Sequence, residues 1–145
     1  MGKFFQGYYQ PVNKAKYIGD KMPVFRSSWE HTVMIMFDNN PNIISWASEP
    51  LKIPYRNPFT GRQTVYVPDF LVTYVTADGK QKTELIEVKP SKETFVEEAK
   101  SKKSKAALAL NTYKWAAAQA FARQNGIGFR VMTEHNIYHN PKRKA

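Results

Sequence analysis

The alternation of apolar and polar positions divides the chain into a few regular segments. Trp29, Val33 and either Met36 or Phe37 recur at helical spacing and predict a helix with one face on a core. Ser27, with Glu30 three residues on, has the spacing of a capping box, so this helix is predicted to start near Ser27 or Ser28. Asn39-Asn40-Pro41 ends it. The period then changes to two. Residues 42–48 predict a short strand, and Leu51, Ile53 and Tyr55 alternate as on a half-buried one. Asn57-Pro58-Phe59-Thr60-Gly61 predicts a turn. Residues 64–67 and 70–75 are rich in β-branched and aromatic side chains and are split by Pro68. Ala77-Asp78-Gly79-Lys80 predicts a hairpin turn, residues 83–89 the returning strand, and Pro90 its end.

The remaining segments are simpler. Residues 91–105 are polar and Lys-rich. Residues 106–124 predict a long helix with Leu108, Trp115, Ala118 and Ala122 on one face and Asn125-Gly126 as its C-cap. Residues 127–133 predict a final strand. At the other end, residues 1–24 are aromatic, basic and punctuated by Pro11, Gly19 and Pro23. They predict an extended arm, and the plainest reading packs it on its own domain. A folded domain over residues 25–140 and a basic tail over 141–145 complete the division. The order of helix, hairpin sheet, helix and strand predicts an α/β or α+β sandwich.

Composition narrows the function. A chain of 145 residues suits one domain, and 42% hydrophobic residues are enough for a core, which excludes wholesale disorder. Lys plus Arg number 22 against 12 Asp plus Glu, a formal charge of +10. A small domain this basic favours a polyanion, either nucleic acid or an anionic membrane. No apolar run approaches the roughly 20 residues that span a bilayer. The first residues lack the apolar core of a signal peptide, so a soluble intracellular protein is expected. With no cysteine there is no disulfide framework, thiolate zinc site or catalytic thiol.

The candidate chemistry lies at the ends of two predicted strands. Asp69 follows Pro68 at a strand junction, and Glu87-Val88-Lys89 ends the hairpin's second strand. Residues two apart on a strand share a side, so Glu87 and Lys89 lie together with Thr83 and Leu85, opposite Glu84, Ile86 and Val88. Asp69 and Glu87 are each about ten residues from the turn, so pairing brings them together. Two carboxylates suit a hard divalent cation such as Mg²⁺, whose shell is completed by water and substrate phosphate. A neighbouring lysine stabilises charge on a phosphoryl transition state. Glu30 on the first helix adds a third carboxylate, directly or through water. Each piece alone has a plainer reading: Glu-x-Lys a solvated strand face, Glu30 a capping residue, Asp69 a turn residue.

Together, Glu30 on a helix, Pro68-Asp69 and Glu87-Val88-Lys89 resemble the PD-(D/E)xK nuclease pattern. The resemblance implies a mixed central β-sheet flanked by helices, similar to restriction endonucleases. The opening Met-Gly-Lys-Phe-Phe-Gln-Gly, the stretch Phe25-Arg26-Ser27-Ser28-Trp29-Glu30 and Pro68-Asp69-Phe70 are similar to the head-completion proteins of T-even-type phages. That likeness implies Mg²⁺-dependent DNA cleavage, with Mn²⁺ as a substitute. Asp69, Glu87 and Glu30 would be the metal-site acids and Lys89 the catalytic lysine. It also implies partners at the head or portal vertex, and a place in the virion head and in the host cytoplasm during assembly. The alternative is a structural virion protein that binds DNA on the same fold with little or no hydrolysis.

The basic residues read best as a DNA track. Lys100, Lys102, Lys103 and Lys105 follow the proposed site, and Lys142, Arg143 and Lys144 form the tail. Such groups bind phosphate without reading sequence. Arg26, just before the first helix, either meets phosphate there or is a simple exposed arginine. The nuclease resemblance implies an accessory basic or amide residue on the long helix, which makes Lys114 a candidate DNA contact and Gln119 its amide counterpart; the plainer reading of both is a surface position, because Trp115 and Ala118 mark the buried face. His135 and His139 have the spacing of helical zinc ligands but lack a third strong partner.

Overall fold

A computed structural model describes residues 6–90 and 101–137. Two short strands, β1 (Gly7–Tyr8) and β2 (Val24–Phe25), enclose a single 3-10 turn at Lys14–Lys16. Helix α1 (Ser28–Asn39) follows. Then come β3 (Ile43–Ser48), β4 (Ile53–Arg56), β5 (Gln63–Tyr66), β6 (Phe70–Val75) and β7 (Gln81–Val88). Helix α2 (Lys102–Gln124), β8 (Gly128–Met132) and the short α3 (Glu134–Ile137) complete the order. The central sheet runs β3-β6-β7-β8, with β8 parallel to β7 and the other pairs antiparallel. This is the mixed sheet flanked by helices that the sequence predicts.

The hairpin turn sets the register. Gly79 sits at φ 82, a conformation glycine adopts without penalty. Across the turn the Thr76 N–H donates to the Lys80 carbonyl at 2.8 Å. Pairing then runs from Val75 opposite Gln81 to Phe70 opposite Ile86. Strand periodicity sends alternate side chains to two different cores. On one face, Phe70, Val72, Ile86 and Val88 pack with Val33, Met34 and Phe37 of α1 and with Trp46. On the other, Leu85 packs with Ala118 of α2 and with Ile53, Tyr55 and Tyr66 of the β4–β5 hairpin.

Two helices differ in detail from the sequence reading. Of the alternatives Met36 and Phe37, Phe37 is buried and Met36 is exposed, and Met34 joins the core instead. Helix α2 begins four residues earlier than predicted. The Ser101 hydroxyl caps it by accepting from the Ser104 N–H at 3.0 Å, so no apolar first turn is needed. Leu110 packs in its core rather than Leu108, alongside Trp115, Ala117 and Phe121. Residues 1–5, Lys100 and the tail with Lys142, Arg143 and Lys144 lie outside the described residues, as does His139.

The arm is tied to α1 by one acid. Asp38, fully buried at the end of that helix, accepts from the Tyr9 hydroxyl at 2.5 Å, the Val12 N–H at 2.7 Å and the Asn13 N–H at 3.0 Å. Burial acts to raise its pKa, but these hydrogen bonds outweigh it and hold the carboxylate below its ordinary range. The arm also lines the outer edge of β3: the Ile18 N–H donates to the Trp46 carbonyl at 2.9 Å. That closes a strand edge otherwise open to pairing. Asp38→Ala would leave two backbone N–H groups without their acceptor. We expect it to cost about 3 kcal/mol in urea unfolding and to open residues 9–25 to limited proteolysis. A loss under about 1 kcal/mol with a protease-resistant arm would show that the arm is held by other contacts.

Candidate active site

The register of β6 and β7 extends one step past Phe70 and Ile86, to Asp69 and Glu87. Asp69 lies just before β6, and its carboxylate continues the ladder: Oδ2 accepts from the Val88 N–H at 2.7 Å. Glu87 points to the α2 side, opposite to Ile86 and Val88, and is only 4% exposed. Its Oε1 accepts from the Tyr66 hydroxyl at 2.7 Å. Its Oε2 lies 3.8 Å from the Lys89 ammonium, which stays partly exposed. The sequence therefore places Asp69, Glu87 and Lys89 together, as expected from the hairpin.

Glu30 reaches the same place from α1. The Ser27 hydroxyl accepts from the Glu30 N–H at 3.1 Å and caps the helix. In return, Glu30 Oε1 accepts from the Arg26 N–H at 3.1 Å, one residue before the usual capping-box partner. Glu30 is thus a capping residue and a neighbour of Asp69 at once. Its pKa rises to about 7, first because burial disfavours the charge and then because Asp69 repels it.

The acids strain one another. Burial and the charge of Glu87 raise the Asp69 pKa well above its ordinary value. Burial raises that of Glu87 too, against Lys89, the Tyr66 hydroxyl and Lys114. Like carboxylates held close together in a half-buried site raise one another's pKa values. Among the described residues no three Asp, Glu or His side chains are gathered closely enough for a complete protein cage. A pair of carboxylates is what Mg²⁺ takes when water and phosphate fill the rest of its shell.

Two residues gain a place beyond the one that sequence reasoning gave them. Tyr66 is one; burial and the neighbouring Glu87 raise its pKa, so the phenol stays a donor. The Trp115 indole N–H approaches the same hydroxyl, outside strict hydrogen-bond geometry. The signal was available: Tyr66 is an inward position of β5, three residues before Asp69. The other is Lys114, read as a surface position. It is half-buried, with its ammonium 5.9 Å above the Tyr66 ring and close enough to lower the Glu87 pKa. A long lysine stem can lie along apolar surface while its charged head reaches a polar neighbour. Gln119 is exposed. Arg26 is exposed but not idle: its Nε donates to Glu49 Oε2 at 2.8 Å. Lys102, Lys103 and Lys105 are exposed on the first turn of α2.

Residues 40–134 match the sequence profile of the TnsA-like endonuclease N-terminal domain. The chain is 35% identical over 144 residues to the head completion nuclease of Enterobacteria phage T4. The alignment covers 92% of this chain and 93% of that protein.

The chain belongs to the TnsA-like endonuclease family, a PD-(D/E)xK-type family.

In this TnsA-like chain the matched span takes in Asp69, Glu87, Lys89, Tyr66 and Lys114, while Glu30 precedes it. The acid cluster makes the metal-free protein sensitive to pH. The folded pKa of Glu30 lies above its ordinary 4.5, and Asp69 and Glu87 shift the same way. Their contribution to stability is fully present below the unfolded values and is lost as pH rises through the folded ones. Between pH 5 and pH 8 the melting temperature of the metal-free protein should therefore fall. Glu30→Gln should flatten that fall and melt no lower than wild type at pH 8. A wild-type melting temperature that climbs over the same window would show that the three acids do not oppose folding.

Proposed function

We propose that this protein is a metal-dependent DNA endonuclease that hydrolyses phosphodiester bonds in phage head completion. The observation that carries the reading is the Asp69–Glu87 pair with the Lys89 ammonium 3.8 Å from Glu87. Asp69 and Glu87 would hold Mg²⁺, or Mn²⁺ in its place, and Glu30 would act through water. The cation, when bound, polarises the phosphate and lowers the pKa of water. The chain's own groups do the rest. The Val88 N–H fixes the Asp69 carboxylate, and the Tyr66 hydroxyl fixes that of Glu87. Lys114 keeps Glu87 towards its ionised form. Lys89 supplies positive charge where negative charge develops on the phosphoryl oxygens. With its pKa near 7, Glu30 is placed to pass a proton to or from water near neutral pH.

The DNA reading has its own support. Lys102, Lys103 and Lys105 crowd the N-terminal turn of α2, and among the described residues that turn holds no acid. Cations at that end oppose the helix dipole and cost stability, so a polyanionic partner accounts for them better than the helix does. No helix among the described residues is long and apolar enough to cross a membrane. The T4 relative is named for head completion, which points to head or portal-vertex proteins as partners and to the virion head as the place of action.

The reading is tested with supercoiled, linear and branched DNA in Mg²⁺ or in EDTA. Asp69→Asn and Glu87→Gln should each lose Mg²⁺-dependent cleavage by about 100-fold or more, through weaker metal binding. Lys89→Ala should lose a similar amount while metal and DNA binding persist. Nicking at the wild-type rate by all three variants would remove these residues from the chemistry. A wild type inactive on every substrate would favour a structural virion protein that binds DNA on this fold.

A further inference from the structure

Beside the acid cluster lies a cavity of about 610 Å³ lined by Gln6, Tyr8, Lys21, Met22, Arg26 and Glu49, among others. Two backbone bonds join it to the cluster: the Glu49 N–H donates to the Asp69 carbonyl at 2.9 Å, and the Arg26 N–H to Glu30 Oε1 at 3.1 Å. Inside, one carboxylate occupies two cations. Glu49 Oε2 takes the Arg26 Nε at 2.8 Å, and its Oε1 takes the Arg26 Nη2 at 3.4 Å and the Lys21 ammonium at 3.3 Å. A guanidinium and an ammonium converging on two oxygens is the arrangement that also receives a phosphate diester.

Three further observations point to a ligand. Among the described residues Glu49 is the only non-glycine residue at positive φ, 47°, a strained conformation held next to Asp69. Arg26 and Lys21 are more than half exposed, so their bonds to Glu49 are weak and readily exchanged in water. Tyr8 leaves 72% of its surface in solvent at the wall of the same cavity, an exposed aromatic of the kind that stacks on a nucleobase.

We propose that this cavity is a cleft for the DNA strand flanking the cleaved bond. Arg26 and Lys21 hold a backbone phosphate there, Tyr8 stacks on the adjoining base, and Glu49 occupies the two cations until the phosphate displaces it. The proposal takes its ligand from the nuclease reading, and adds Lys21, Tyr8 and Glu49 to Arg26, which the sequence already offered as a phosphate contact. Glu49 then acts as an internal stand-in for phosphate. It keeps the two cations in place in the free protein and weakens binding of any anion that cannot satisfy both at once.

The test is DNA binding by fluorescence anisotropy in EDTA, where no cleavage occurs, with the full chain over a range of salt. Arg26→Gln and Lys21→Gln should each weaken binding about 5- to 10-fold and make the salt dependence shallower by about one phosphate contact. Glu49→Gln should do the reverse, binding about 3- to 10-fold tighter with a steeper salt dependence. Tyr8→Ala should weaken single-stranded DNA about 5-fold and leave the salt slope unchanged. Glu49→Gln binding no tighter than wild type, or normal binding by both cation variants, would overturn the proposal. A melting curve checks each variant. If Glu49→Gln does not fold, the two cation variants decide alone. The nuclease reading stands or falls separately. Wild-type nicking with unaltered binding by the cleft variants would reject the cleft and keep the enzyme. Weakened binding in a protein that never nicks would keep the cleft and reject the enzyme.

Discussion

The 2.7 Å bond from the Val88 N–H to the Asp69 carboxylate joins the candidate site of this protein to its fold. It sits where β6 begins and β7 ends, and it replaces a backbone acceptor by a side chain. The register it continues decides which residues are buried where. With Phe70 opposite Ile86, Glu87 turns towards α2 and Tyr66, while Ile86 and Val88 turn towards α1. A slip of one residue would send Glu87 into the α1 core, among Phe37, Phe70 and Met34, with no donor to receive it. The apolar patterning that fixes the sheet therefore also fixes the carboxylates, and no separate device is needed to bring them together.

The electrostatics of the site run against the rest of the molecule. The chain carries almost twice as many cations as acids, yet three of its acids are gathered in a partly dehydrated corner. Desolvation and mutual repulsion raise their pKa values, and Lys89 and Lys114 offset only part of this. Such a cluster costs stability wherever its charges oppose one another unpaired. Asp38 shows the opposite case within the same helix that carries Glu30. Its carboxylate is also shielded from solvent, but it lies nearer the surface, three donors surround it and its pKa falls. Donors and shallower depth together separate Asp38 from the acids of the candidate site.

Much of this was legible in the sequence, for physical reasons that differ between elements. The hairpin could be read because Asp78-Gly79 fixes the turn and period-two patterning fixes the faces, so the meeting of Asp69, Glu87 and Lys89 followed. The start of α1 could be read from Ser27 and Glu30. The start of α2 could not, because Ser101 caps a first turn that has no apolar residue to mark it. Lys114 was read first as a surface position because a charged residue was equated with a solvated one, whereas it is half-buried and its ammonium lies over the Tyr66 ring. Asp38 escaped notice because its partner Tyr9 lies 29 residues away in the chain, and no local pattern reports such a contact. The inward position of Tyr66 on its strand was legible, but its bond to Glu87, 21 residues on, was not. Glu49 likewise has no motif around it; its backbone conformation and its two cations are properties of the folded loop alone.

The β6–β7 hairpin is also the most local pairing in the central sheet. Its strands are joined by five residues, whereas β8 reaches β7 only after the whole of α2, and β3 reaches β6 past the β4–β5 hairpin. Loop closure costs least where the connection is shortest, so this hairpin is the favoured place for folding to nucleate. The two mutually repelling carboxylates are built into that element and meet as soon as it closes. Function is thus written into the rate of folding as well as into the final energy. Asp69→Asn would relieve the repulsion but keep a side-chain acceptor for Val88, and the folding limb of its chevron plot should move to faster rates than wild type, with the unfolding limb little changed. An unchanged folding limb would place the nucleus elsewhere in the sheet.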